Sequence, residues 1–105
     1  MNSSYHVVYL PVARRDMVDI ADYISHELKN PDAAERLAVQ MVEAIEGLTD
    51  FPYACPVYSP IRPLAYEYRK LRVQHYLIFY WVDERQKIIT IARVIYEKRY
   101  LPKQF

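Results

Sequence analysis

The stretch YEYRKLRVQHYLIFYWVDERQKIITIARVIY, residues 66–96, decides the fold. It is rich in β-branched and aromatic residues, which favour a pleated, half-buried surface. The polar run Asp83–Gln86 divides it. The spacing therefore predicts a hairpin of Tyr76–Val82 and Lys87–Tyr96 closed by a four-residue loop, with Tyr66–Gln74 as a third strand. Ile88, Ile89, Ile91, Val94 and Ile95 populate both faces of the last strand. A strand apolar on both sides is expected in the centre of a sheet. For the same reason, alternation leaves open which face carries Arg93.

Working back from this stretch, residues 51–64 (FPYACPVYSPIRPL) contain four prolines and read as an irregular connection. It is too apolar for a free linker and is expected to pack on the domain. Ahead of it lie two helices. Pro11 suits a first helical position, where a missing N–H costs nothing. Met17, Ile20, Ala21, Ile24 and Leu28 then follow at helical spacing as one buried stripe. Asp16, Asp19 and Asp22 lie off the stripe and are assigned to the helix start, where negative charge is favoured. Asn30-Pro31 ends this helix and opens the next, Asn30 as N-cap and Pro31 as first residue. Ala34, Leu37, Ala38, Met41, Val42, Ile45 and Leu48 make the second stripe, with Gly47 and Thr49 near its end. The short link predicts an antiparallel helix hairpin. Tyr5–Leu10 (YHVVYL) precedes it as a short strand. The expected class is α+β, in which an N-terminal strand and a two-helix hairpin accompany a mainly antiparallel sheet as one domain, 1–105. The tail Glu97–Phe105 is short.

Composition narrows the function. Glycine occurs once, at Gly47, which excludes Gly-rich phosphate loops of the Walker and Rossmann types. The single cysteine, Cys55, excludes an internal disulfide and a multi-cysteine zinc site, and fits a reducing compartment. Cys55 lies between prolines without a His–Asp context, which argues against a nucleophile. His6, His26 and His75 share no metal-ligand spacing, so neither metal nor cofactor is expected. The start, MNSSYHVVYL, has neither a basic region nor a long apolar run, and no stretch of about 18 apolar residues occurs. A cytoplasmic location with no membrane partner is expected. The net charge of +1 conceals an asymmetry. Residues 1–61 hold four basic and nine acidic residues (−5), and residues 62–105 hold ten basic and four acidic (+6). The later half either presents a cationic surface to an acidic or polyanionic partner or merely solvates its strands.

The residue order resembles the RelE/ParE family of bacterial toxins from type II toxin–antitoxin systems. YHVVYLPVARRDMVDIADYI is similar to the family's first strand and helix, and NPDAAERLAVQMVEAIEGLTDFP to its second helix with the Leu-x-x-Phe-Pro ending. YRKLRVQHYLIFYWVDERQKIITIARVIYEKRY resembles its hairpin and last strand. The most specific pieces are Tyr76-x-Ile-x-Tyr80 and Arg93-Val-Ile-Tyr-x-x-Arg99. The resemblance covers nearly the whole chain. It implies a compact α+β toxin, associated with plasmid stabilization and growth inhibition, that a cognate antitoxin neutralises in a hetero-oligomer. RelE-like and YoeB-like members cut messenger RNA in the ribosome, whereas ParE-like members block DNA gyrase. YLIFYWVD and RVIYEKRY resemble the ParE-like subgroup more closely.

Metal-free RNA cleavage needs a deprotonated 2′-hydroxyl, cations on the pentavalent phosphate and a proton for the leaving oxygen. If the chain is a ribonuclease, the resemblance puts Arg93 at the family's last-strand arginine and Tyr96 where the family has His or Tyr near the RNA. Arg69 and Lys70 stand for the paired lysines. Arg93 equally fits a strand arginine paired with a carboxylate, since buried arginine is rare unless paired. Lys70, Arg72 and Arg99 are candidates for target or phosphate contacts, or for a solvated, edge-protecting strand. In an extended strand Lys70 and Arg72 share one face, with Arg69 and His75 on the other. His75 at the hairpin suits a turn residue better than a catalyst. In the ribonucleases an arginine follows the tyrosine that begins the hairpin's second strand. Here that position is Leu77, which supplies no cation. Losing one such cation typically costs about 100-fold in rate. The third reading is a small binding module unrelated to toxicity.

Overall fold

A computed structural model describes residues 5–58 and 65–99, the last by its backbone alone. The expected connection is therefore seen only as far as Tyr58, and the expected tail beyond Arg99 lies outside the described residues. The elements are β1 (His6–Tyr9), α1 (Pro11–Asp22), α2 (Pro31–Gly47), β2 (Arg69–Val73), β3 (Tyr76–Asp83) and β4 (Ile88–Tyr96), with a 3₁₀ turn at Glu97–Arg99. The sheet runs β1-β4-β3-β2, with β1 parallel to β4 and the other pairs antiparallel. This is an α+β fold, two helices on a mainly antiparallel mixed sheet.

α2 begins as its sequence dictates. Asn30 Oδ1 accepts the Ala33 N–H at 3.1 Å and Pro31 fills the first helical position. Ala34, Leu37, Met41, Ile45 and Leu48 are buried, whereas Val42 is 41% exposed and Ala38 is exposed. The buried stripe is thus narrower than the apolar pattern. The first helix closes just before Asn30 as expected, but its last part is a π-helical turn, Tyr23–Glu27, in which the Leu28 N–H reaches the Tyr23 carbonyl at 3.1 Å. The extra residue per turn advances the phase. Ile24 stays in the core, and Leu28, expected on the same stripe, is swung out to 57% exposure.

The strands are shorter or shifted relative to the sequence pattern. β2 starts at Arg69 rather than Tyr66. β3 extends to Asp83, and the turn to β4 is held by the Gln86 N–H on Asp83 Oδ1 at 2.9 Å. Among the described residues, left-handed backbone falls on Lys29, Gln74 and Lys87, none of them glycine. The register shifts between Phe79 and Tyr80, which oppose Arg93 and Ile91, so Ala92 is an extra residue in β4. This bulge explains the apolar character of both faces. Ile89, Ile91 and Val94 all face the helices with Ile78 and Tyr80, and Ile95 joins Leu77, Phe79 and Tyr58 on the opposite face. Arg93, opposite Phe79, starts from that helix-free face.

The connection pairs along the outer edge of β2. The Tyr58 N–H donates to Tyr68 O at 2.7 Å and the Lys70 N–H to Pro56 O at 3.1 Å. Its start is held to the β3–β4 turn by one carboxylate. Glu84 Oε1 accepts the Tyr5 and Tyr53 hydroxyls at 2.7 and 2.6 Å, and Lys87 pairs with Oε2. Lys87, then Tyr53 and Tyr5, hold the Glu84 carboxyl down at about 2, below its ordinary 4.5. A depressed carboxyl contributes stability above its unfolded value and loses it as pH falls through its folded value. Thermal melts from pH 6 to pH 2 should therefore show a steeper acid decline for the native chain than for Glu84→Gln. Parallel declines between pH 5 and pH 2 would show that the clasp contributes nothing.

Candidate functional site

Arg93 is engaged. Its Nε donates to Asp16 Oδ2 at 2.8 Å and its Nη2 to Asp16 Oδ1 at 3.2 Å, a two-pronged pair with α1. Asp16 Oδ2 also accepts the Val94 N–H at 2.9 Å. β1 pairs with β4 only through Ile91, so Val94 lies beyond β1's cover and the carboxylate takes the place of a strand partner. Its hydrogen bonds to the Asp16 carboxylate raise the guanidinium's pKa further, which fixes its charge. Asp16 is therefore the partner of Arg93, not a charge serving the helix start.

Arg69 is engaged elsewhere. Its Nη1 donates to Cys55 O at 2.7 Å and Tyr53 O at 3.2 Å, its Nη2 approaches Glu67 at 3.4 Å, and its guanidinium lies 5.0 Å from the Tyr53 ring centroid. Arg69 opposes Tyr80, on the helix side of the sheet. It ties the connection to β2, with its side chain 15% exposed.

Lys70 and Arg72 oppose Phe79 and Leu77 on the helix-free face. There a cleft of about 510 Å³ is lined by Ala54, Cys55, Pro56, Lys70, Arg72, Leu77 and Glu97. Lys70 Nζ lies 5.9 Å from the Tyr58 ring centroid. Glu97, the first residue of the 3₁₀ turn, pairs with Arg72 through Oε1 and lies 3.6 Å from His75 Nδ1 through Oε2. Its N–H donates to His75 O at 2.8 Å. Arg72 first, then His75, lower the Glu97 carboxyl below its ordinary value.

Tyr96 faces the helices. It packs against Tyr76 with ring centroids 5.4 Å apart, in a groove of about 590 Å³ between the end of α1, the start of α2 and the β2–β3 turn. Ile20, Tyr23, Leu28, His75 and Asn30 also line this groove. Burial raises the Tyr76 phenol, which stays protonated at neutral pH.

The structure thus does not bring the catalytic candidates together. Arg93 reaches α1 from the helix-free side, Arg69 is held under the connection, and Tyr96 lines a groove on the helix side. Lys70 and Arg72 do share one cleft. The side chain of Arg99 lies outside the described residues. Sequence reasoning missed Asp16 and Glu97, whose roles depend on partners 77 and 25 residues away. The only local signal was a carboxylate next to a stripe and another following a strand. Among the described residues no group of three His, Cys, Asp or Glu is placed to hold a metal ion, and no helix is long and apolar enough to cross a membrane.

The chain is thus a helix pair on a four-stranded mixed sheet, with a cleft holding Lys70 and Arg72 on the open face and a largely apolar groove on the helix side. The family model for the ParE toxin of type II toxin–antitoxin systems, parDE, matches residues 7–100, and the chain belongs to that family. In fold it is similar to a protein of the chromosomal ParDE toxin–antitoxin system from P. aeruginosa, at a TM-score of 0.68 and 18% identity over 88% of this chain and 95% of that one. It is also similar to a chain of the RelBE2 toxin–antitoxin complex from Mycobacterium tuberculosis, at a TM-score of 0.56 and 21% identity over 88% of this chain and 96% of that one. No curated protein matches the sequence significantly.

Proposed function

We propose that this toxin acts in the cytoplasm by binding, as a ParE-like inhibitor of DNA gyrase, and that a cognate antitoxin neutralises it in a hetero-oligomer. The observation that carries this reading is the state of the arginines. A cation that stabilises a pentavalent phosphate must be free to meet it as charge develops. Arg93 is instead held by both oxygens of Asp16, Arg69 by two backbone carbonyls, and the position after Tyr76 is Leu77. The match to the ParE family model supports the same reading, and the ParDE and RelBE2 neighbours support an antitoxin partner.

Two assays on the purified chain separate the activities. Gyrase supercoiling should fall with added toxin and recover with antitoxin, while messenger RNA in programmed ribosomes stays intact. Codon-specific cuts that vanish in a folded Arg93→Met variant, with supercoiling unaffected, would replace this reading with a ribosome-dependent ribonuclease.

A further inference from the structure

The helix-free cleft already contains a carboxylate, and that carboxylate belongs to the chain itself. Glu97 spans Arg72 and His75, one oxygen toward each. The Arg72 and His75 side chains are 59% and 70% exposed. Ion pairs this wet are weak, because water and salt compete for both partners, so the contact exchanges readily. The remaining lining combines one further cation, Lys70, with the mostly apolar Ala54, Cys55, Pro56 and Leu77. Lys70 and Arg72 are two residues apart on one strand face, about 6.6 Å along it. That spacing equals the distance between like-facing side chains of an extended peptide.

We infer that this cleft is a docking site for an acidic peptide segment with apolar neighbours, and that Glu97 is its built-in competitor, occupying Arg72 until a partner's carboxylate displaces it. A volume of about 510 Å³ accommodates a few side chains and not a folded surface. Sequence-tolerant binding of single-stranded nucleic acid uses aromatic rings on which bases stack, and the described residues lining this cleft include none. Charge and apolar walls together therefore favour a peptide over a polynucleotide. Because Glu97 opens the 3₁₀ turn, exchange at Arg72 releases the side chain that ties this turn to β2. The assignment rests on the antitoxin reading above, in that a segment folding on contact with the toxin is the partner this chemistry suits.

The test uses the full chain and a blocked nine-residue peptide of Glu, Ala and Leu, followed by fluorescence anisotropy at several salt concentrations. Glu97→Gln should bind the peptide roughly fivefold more tightly than the native chain, the scale of one exposed ion pair. Arg72→Gln should bind roughly fivefold more weakly, on the same scale, and all affinities should fall with salt. Amide resonances of the native chain at Arg72–Tyr76 and Glu97 should shift on titration, which keeps the test valid if Glu97→Gln folds poorly. Equal binding by Glu97→Gln and the native chain, or shifts confined to other elements, would overturn the inference. Tighter binding of a dT12 oligonucleotide, but not of the peptide, to Glu97→Gln would make the cleft a phosphate site and overturn the peptide assignment. None of these readouts involves gyrase, so failure of the supercoiling assay leaves this test standing, and the reverse also holds.

Discussion

Replacing Asp16 with alanine should destabilise the chain by about 3 kcal/mol, more than removal of any other charged group among the described side chains. The carboxylate accepts three hydrogen bonds, from Arg93 Nε, Arg93 Nη2 and the Val94 N–H. Its side chain is 13% exposed and that of Arg93 is 37% exposed. Alanine leaves a half-buried guanidinium without its anion and a backbone N–H without an acceptor at the end of a central strand. For a domain of this size the melting temperature should fall by on the order of 15 °C. Arg93→Met should cost less, about 1–2 kcal/mol, because Asp16 keeps the Val94 bond and the methionine stem keeps the packing. The double variant should recover at least 1 kcal/mol relative to the sum of the two, the signature of direct coupling. Chemical denaturation of the four proteins measures all of this. An Asp16→Ala chain within about 0.5 kcal/mol of the native one would mean that the pair holds nothing together and that Arg93 is available for chemistry after all.

That last outcome links stability to function. The late arginines invite a catalytic reading only while their partners are unknown. A guanidinium fixed by two carboxylate oxygens holds an architecture, and the same residue alone would hold a phosphate. The chain spends two of its late cations, Arg69 and Arg93, on tying distant segments to the sheet. Arg72, on the open face with Lys70, pairs instead with Glu97 of the 3₁₀ turn that follows β4.

What could be read from the sequence was what is local. The N-cap at Asn30, the prolines that open both helices, the centre of the buried stripe of α2 and the β3–β4 hairpin each follow from residues within a few positions of one another. The irregularities were not legible. An extra residue at Ala92 or within Tyr23–Glu27 leaves composition unchanged and is fixed by how the strand or helix meets its neighbours. That is why alternation leaves the face of Arg93 open and why Leu28, on the apolar stripe by spacing, faces outward. The charged groups divide in the same way. Lys70 and Arg72 came to one face because strand alternation is a local rule. Arg93 met Asp16 through tertiary packing, which no short-range pattern encodes.

The contrast between Ile45 and Val42 tests the narrower stripe directly, and with it the source of lost toxicity in any genetic screen. Both residues lie in the apolar pattern of α2, three positions apart, and the sequence does not separate them. Ile45 is 0% exposed in the cluster that includes Ile78, Ile89 and Ile91, whereas Val42 is 41% exposed. Ile45→Ala should cost about 3–4 kcal/mol, the lost transfer energy plus an unfilled cavity, because the sheet beneath cannot collapse into the gap. Val42→Ala should stay within about 0.5 kcal/mol, since alanine's better helix propensity offsets the little area lost. In denaturant the first should shift the midpoint strongly and the second hardly at all. If inhibition of gyrase by the chain arrests growth, Ile45→Ala and Asp16→Ala should both rescue cells by lowering the folded fraction, and both should regain potency when the temperature is lowered and folding is restored. Arg72→Gln, which leaves the core untouched, should show no such temperature dependence in whatever effect it has. A Val42→Ala chain as unstable as Ile45→Ala would place the outer side of α2 against protein rather than water, contrary to the packing described above.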